Sequence, residues 1–189
     1  MPTKSLSTSE RRIPAIVDAA RDTFAVGGYA GTTVADVAKA AGISSAYVFK
    51  LFPTKQDLFV AALDRSFVEI VETLTRAADA SSATKPDDVL DAMAAAYAGL
   101  IADRTLLLLQ VHAQSSAGVT EVGAALRRGL EKVTTTASQK SKADDDAVQR
   151  FLAFGQLCHL VVTAGIGDVD ADWARLIARG IRHPDTATP

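Results

Sequence analysis

The stretch Thr33–Phe52, TVADVAKAAGISSAYVFKLF, constrains this chain more than any other. It reads as two short helices joined by a tight turn. Thr33 stands three residues before Asp36, so its hydroxyl can cap backbone N–H groups while the carboxylate meets the positive helix end. Val34, Val37, Ala38 and Ala41 then repeat at i, i+3, i+4 and i+7, which gives one buried face. Gly42 suits the stop, because glycine takes a positive φ without a Cβ clash. Ile43 can tuck under the turn, and Ser44 can cap the next helix.

On that second helix, Val48 at the centre of the buried face puts Ser44, Leu51 and Phe52 within about 60° of it, at 100° per residue. Ala46 and Lys50 then point outward, with Tyr47 and Phe49 on the flanks. A helix lying in a DNA groove could use all of these: lysine for phosphate or guanine, aromatics for packing and thymine methyls. An ordinary amphipathic pair is the blander reading of the same pattern. Pro53-Thr54-Lys55-Gln56-Asp57 follows as another helix start, with Thr54 as cap and Asp57 three residues on. Lys55 in a first turn opposes the helix dipole, but a lysine beside free N–H groups makes a good phosphate site.

The run Gly42-Ile43-Ser44, Val48-Phe49, Phe52-Pro53-Thr54-Lys55 and Leu58 resembles the TetR/AcrR family of bacterial transcriptional regulators. Phe24, Gly28, Tyr29, Thr32, Thr33, Ala38 and Ala41 fit the same pattern, and the likeness is specific over roughly residues 10–60. It implies that the second helix of the motif enters the major groove of duplex DNA. Carried over, Ser44 to Leu51 would lie in the groove, with Ser45, Ala46, Tyr47 and Lys50 facing bases. Thr33, Phe49, Lys50 and Lys55 would sit near the backbone. Three positions depart from the family pattern: Phe49 stands where tyrosine is usual, Leu51 replaces a frequent aromatic, and Tyr47 stands where threonine is common. These leave the base preference open.

Composition agrees. Hydrophobic residues make up 48% of the 189 but aromatics only 6%, as in packed helices rather than a β-sandwich. The net charge of −2 argues against a general nucleic-acid binder until the chain is split. Residues 1–56 hold seven Lys/Arg against four Asp/Glu, net +3, and residues 57–189 hold 13 against 18, net −5. The positive part carries the helix pair. No apolar run approaches membrane length and no secretory pattern opens the chain, so a cytoplasmic protein without a membrane partner is expected. Cys158 is the sole cysteine, which leaves no intrachain disulfide and reads best as a buried core thiol.

The rest of the chain reads as helices and turns. Residues 1–9 look like a flexible polar tail, in which Lys4, with Arg11 and Arg12 after it, could touch phosphates. A first helix runs to about Val26 and ends at Gly27-Gly28, burying Ile13, Ile16, Val17, Ala20 and Phe24, with Pro14 in its first turn or at a kink. A long helix spans about Lys55 to Ala80. Pro86 opens another to about Asp103, and an apolar one covers Thr105–Ser116, broken by Gly118. The next spans about Thr120–Ala137, with Val122, Leu126, Leu130 and Val133 inward. Lys140–Lys142 reads as loop, followed by helices at about Asp145–Ala164 and Ala171–Arg182. The expected architecture is therefore all-α, about nine helices. A three-helix DNA-binding domain (10–57, motif 33–52) precedes a helical ligand-binding and dimerisation domain (58–189).

Apolar residues nearly ring the helix at 145–164, and Trp173, Leu176, Ile177 and Ile181 stripe the last one. A second apolar face needs either a partner or burial within the subunit. Phe151, Leu157, Val161, Trp173, Leu176 and Ile177 are the candidate homodimer interface, and the resemblance implies a twofold dimer on a palindromic operator. Met93, Tyr97, Gln110, His112, Gln114, Phe154, Cys158 and His159 are candidate contacts to a small, mostly apolar effector. No metal is expected: positions 158 and 159 diverge by about 100° on a helix, and Asp144-Asp145-Asp146 lack calcium-loop spacing. Nor is a cofactor, since Gly165-Ile166-Gly167 is followed by Asp170 rather than the third glycine of a dinucleotide fingerprint. No catalytic residues or enzyme motif emerge. The reading is a dimeric, ligand-responsive repressor; a ligand sensor without effective DNA binding is the alternative.

Overall fold

A computed structural model describes residues 8–181, and every described element is helical. In chain order they are α1 (Thr8–Gly31), α2 (Val34–Ala40), α3 (Ser45–Leu51), α4 (Lys55–Ala80) and α5 (Pro86–Leu100). After these come α6 (Thr105–Ser115), α7 (Thr120–Ser141), α8 (Asp145–Thr163) and α9 (Asp172–Ala178). Short 3-10 turns at Ile101–Asp103 and Ile166–Asp168 complete the path. The expected all-α class and nine-helix count hold for the described residues.

The chain divides into two compact units. One comprises the chain up to Ser66 together with Leu109–Arg127, and the other comprises Phe67–Leu108 and the chain from Arg128 onward. The first is built on Ile16, Ala20, Phe24, Val37, Val48, Leu58, Phe59 and Leu63, all buried. Phe24 meets the Phe59 ring edge-on at 4.9 Å between centroids, and Tyr29 meets the same ring at 5.2 Å. Such crossed aromatic pairs add about 0.5–1.5 kcal/mol each beyond their burial. Gly28 ends the regular part of α1 with φ +68°, as its type predicts. A Cβ there would come within 3.1 Å of the His112 ring, so the position favours glycine by space as well as by backbone.

The second unit is cored by Phe67, Ile70, Leu74, Met93, Ile101 and Leu107. Val161, Ile166 and Ala174 form a further cluster that clamps α9 to α8, with Leu157, Ile177, Ala178 and Ile181 packed around it. Asp144 caps α8 by accepting from the Ala147 N–H at 2.8 Å, and Asp145 and Asp146 follow in its first turn. No single described helix is long and apolar enough to cross a membrane.

Several boundaries differ from expectation. Residues 1–7 of the expected tail, with Lys4, lie outside the described residues, whereas Thr8 and Ser9 are already helical. Pro14 therefore stands inside α1 rather than in its first turn, and the only non-helical backbone in that helix is at Gly28, not at the proline. Ile13 is 36% exposed rather than buried, at the rim of a surface hollow of about 350 Å³ shared with Pro14, Val17, Ala61 and Arg65. α7 runs through Ser141 instead of ending near Ala137, because Val133, Ala137 and Ser141 continue one buried face at four-residue spacing. Leu130, expected inward, is 37% exposed. The last helix stops at Ala178, with Gly180 at φ +80° beyond it, and Arg182 lies outside the described residues.

Candidate functional site

The helix pair forms as its local chemistry dictates. The Asp36 N–H donates to the Thr33 hydroxyl at 3.2 Å, and the Asp36 carboxylate accepts from the Thr33 N–H at 2.9 Å and from its hydroxyl at 2.6 Å. These bonds hold the Asp36 carboxyl below its ordinary range, the hydroxyl first and the backbone second. Gly42 turns the chain at φ +65°. Ser44 caps α3, accepting from the Tyr47 N–H at 3.3 Å. Thr54 and Asp57 repeat the reciprocal cap at the start of α4, with bonds of 3.0, 2.7 and 3.1 Å.

On α3, Val48 is wholly buried and is the anchor. Ser44, Ala46, Phe49 and Lys50 are exposed, Phe49 by 48%, while Ser45 and Tyr47 are half-buried. The Arg12 guanidinium lies over the Tyr47 ring, 5.7 Å from its centroid, so the aromatic flank of α3 meets the beginning of α1. Thr33 is exposed beside this surface. α3 thus presents a short ridge with one cation, two aromatics and two hydroxyls.

Lys55 is placed differently from the expectation of a free phosphate ligand. Its ammonium donates to the Tyr29 carbonyl at 2.8 Å and the Thr32 carbonyl at 3.3 Å, and stands 4.6 Å from the Tyr29 ring centroid. An ammonium has three donors, and two carbonyls and one π-face engage all of them. The dipole penalty foreseen for Lys55 at the start of α4 is offset here by the carbonyl end of α1. Tyr29 was visible only as part of the family pattern; its role as the partner of Lys55 depends on a hydrogen bond spanning 26 positions of sequence. The Tyr29 hydroxyl is raised above its ordinary pKa by burial and then by Glu121.

The eight effector candidates divide between the units. In the first, Gln110 is buried, Gln114 is exposed, and His112 Nε2 lies 3.2 Å from the Ala25 carbonyl. In the second, Met93 is wholly buried, Phe154 is 50% exposed, and the Tyr97 hydroxyl lies 2.6 Å from His159 Nε2. Burial holds the His159 ring neutral, with its pKa pushed down to about 4, and pushes the Cys158 thiol up to about 11. No group of three His, Cys, Asp or Glu among the described residues could hold a metal ion.

The candidate dimer residues also part company. Trp173 and Leu176 are 54% and 62% exposed, and Phe154 and Leu160 on α8 are exposed nearby in the sequence pattern. Phe151, Leu157 and Ile177 are half-buried. Val161 is only 3% exposed and belongs to the cluster joining α8 to α9, so it supports the apolar face from within the subunit.

An all-helical chain with a capped helix-turn-helix and an exposed second helix has the architecture of helical DNA-binding regulators. Residues 16–62 match the family described as bacterial regulatory proteins, tetR family. The fold is shared with solved regulators. A TetR-family transcriptional regulator from Agrobacterium tumefaciens is 19% identical, covering 90% of this chain and 94% of that one, with a TM-score of 0.68. The regulator FadR from Bacillus subtilis, solved with stearoyl-CoA, is 17% identical over 87% and 92%, with a TM-score of 0.67. The fatty acid degradation regulator FadR from Bacillus halodurans is 19% identical over 89% and 99%, at 0.64. No curated protein sequence matches the chain. Residues 16–62 thus carry the N-terminal domain of that family, and the chain as a whole shares its helical fold with solved TetR-family regulators.

Proposed function

We propose that this protein is a dimeric transcriptional repressor released from a palindromic operator by a small, mostly apolar effector. Residues 10–57 would form the DNA-binding part and 58–189 the effector-binding and dimerisation part. The observation that carries the reading is α3 itself: anchored by Val48, it exposes Ala46, Phe49 and Lys50 and half-exposes Ser45 and Tyr47. Within one major groove these reach base edges and methyls, while Thr33 and Ser44 face the phosphates. Lys55 enters this scheme as a support for the interface.

A dimer supplies the second recognition helix, and two such helices about 34 Å apart meet successive major grooves. The exposed Trp173 and Leu176 support an interface that includes α9, because large apolar side chains of this kind gain from being covered. An effector that binds better to a dimer with mismatched helix spacing shifts the population away from the operator. The apolar effector class accords with the stearoyl-CoA in one structural neighbour. A cytoplasmic, non-enzymatic protein is part of the same proposal.

Selection of bound duplexes from random or genomic DNA tests it: enrichment of an inverted repeat with half-sites one helical turn apart is the expected result. The sensor alternative draws on Phe49, which lacks a ring hydroxyl, and on the engaged ammonium of Lys55. No retention of any duplex at low salt would favour that alternative and overturn the repressor.

A further inference from the structure

Among the polar side chains buried in the second unit, one is left incomplete. The Ser141 hydroxyl donates to the Ala137 carbonyl at 2.7 Å and is satisfied. His159 is 4% exposed, and its Nε2 lies 2.6 Å from the Tyr97 hydroxyl, yet its Nδ1 has no hydrogen-bond partner among the described residues. The two nitrogens of a neutral imidazole take opposite roles, one donor and one acceptor. A phenol is the natural donor in an O–H···N pair, and when Tyr97 donates to Nε2 the ring proton sits on Nδ1. A buried N–H then faces the interior with nothing to accept it, which native proteins seldom leave so.

Beside Tyr97, α8 presents a half-buried glycine rather than a side chain. Gly155 lies one turn before His159 on α8, and a Cβ placed there would meet only Tyr97 Cε1, at 4.0 Å. Met93 lies one turn before Tyr97 on α5 and is wholly buried. Glycine within a helix costs about 1 kcal/mol relative to alanine. Here it leaves the flank of the Tyr97 ring unfilled by α8.

We propose that His159 Nδ1–H is the polar anchor of an effector subsite, and that the effector is a mostly apolar molecule carrying an uncharged carbonyl acceptor such as an ester, ketone or amide. The acceptor completes the hydrogen bonding of His159, and the apolar part lies along Tyr97 and Gly155. This deepens the effector half of the proposed function and rests on that reading. Tyr97 acts through His159: it selects the tautomer that leaves the proton on Nδ1. Burial keeps the ring neutral near pH 7, with its pKa at about 4, so a carboxylate of the same chain length gains no ion pair here.

The test uses the full-length protein labelled with 15N-histidine. Two-bond correlation spectra report the tautomer without any variant, and the Nδ1–H form of His159 is expected. Methyl octanoate should shift the Nδ1 signal and raise the melting temperature, with octanoate and n-octane weaker. His159→Phe should lower methyl octanoate affinity about tenfold, the scale of one lost buried hydrogen bond, and leave n-octane binding unchanged. An Nε2–H tautomer overturns the proposal, as does an absent response to methyl octanoate or equal affinity in the wild type and His159→Phe. Operator selection is read separately, so a protein that binds the ester but no DNA would sink the repressor and leave the anchor standing.

Discussion

Replacing Lys55 with methionine separates two roles for the same side chain. The structure gives its ammonium two carbonyl acceptors, Tyr29 at 2.8 Å and Thr32 at 3.3 Å, and the Tyr29 ring at 4.6 Å. A hydrogen bond from a charged donor contributes ~1.5–3 kcal/mol and an exposed cation–π contact ~0.5–1 kcal/mol. Lys55 is half-buried and its second bond is long, so the set is discounted to about 2 kcal/mol. The Lys55→Met variant would keep an apolar stem but free the end of α1 from the start of α4, between which α2 and α3 are held. Chemical unfolding should report that loss, and operator affinity should fall about five- to tenfold on every sequence tried. The deciding measurement is the dependence of affinity on salt. If Lys55 instead neutralised a phosphate in each subunit of a dimer, its removal would flatten the log–log slope by about 1.8, at 0.9 per phosphate. A positioning residue leaves the slope unchanged, and Lys55→Arg, which keeps a cation against the same carbonyls, should restore part of the affinity. A flattened slope with unaltered stability would refute the strut and return Lys55 to the phosphate.

Other perturbations read other parts of the fold. The folded pKa of His159 is depressed from 6.5 to about 4, so its contribution is fully present above pH 6.5 and lost as pH falls toward 4. The loss is roughly 3 kcal/mol; urea unfolding over that window should show it, and an equal slope in His159→Phe would reject the assignment. The lowered carboxyl of Asp36 acts below this window, since its contribution is present above its unfolded pKa and is lost only at lower pH. Gly129→Ala on α7 puts a methyl group into the Phe67 ring, which is 2% exposed. Overpacking of this kind costs about 1–3 kcal/mol, and a thermal melt unchanged from wild type would contradict it. Leu176→Glu charges the exposed stripe of α9 and should convert a dimer to monomer in light scattering; an unchanged mass would move the interface elsewhere.

What was legible in the sequence follows the range of the interactions involved. Thr33 with Asp36, Ser44 with Tyr47, and Thr54 with Asp57 are pairs three residues apart, and each cap formed as its residue types require. The turn at Gly42 and the burial of Val48 are likewise local, so residue types alone outline the candidate DNA ridge. Lys55 shows where local rules stop. The same rule that reads a lysine in a first helical turn as an anion site is blind to two carbonyls supplied from the other end of another helix. α7 outran its expected end for a related reason: lysine and serine tolerate helix, and the buried row through Ser141 outweighs their loop preference. In the effector half, a polar residue in an apolar helix is ambiguous until its partner is known. Ser141 and His159 look alike in sequence, each a polar residue on a mainly apolar face. One finds a carbonyl four residues away on its own helix, and the other is left with half its imidazole unanswered. Only that unanswered atom distinguishes a core residue from a ligand anchor, and it arises from the packing of α5 against α8, which no local pattern encodes.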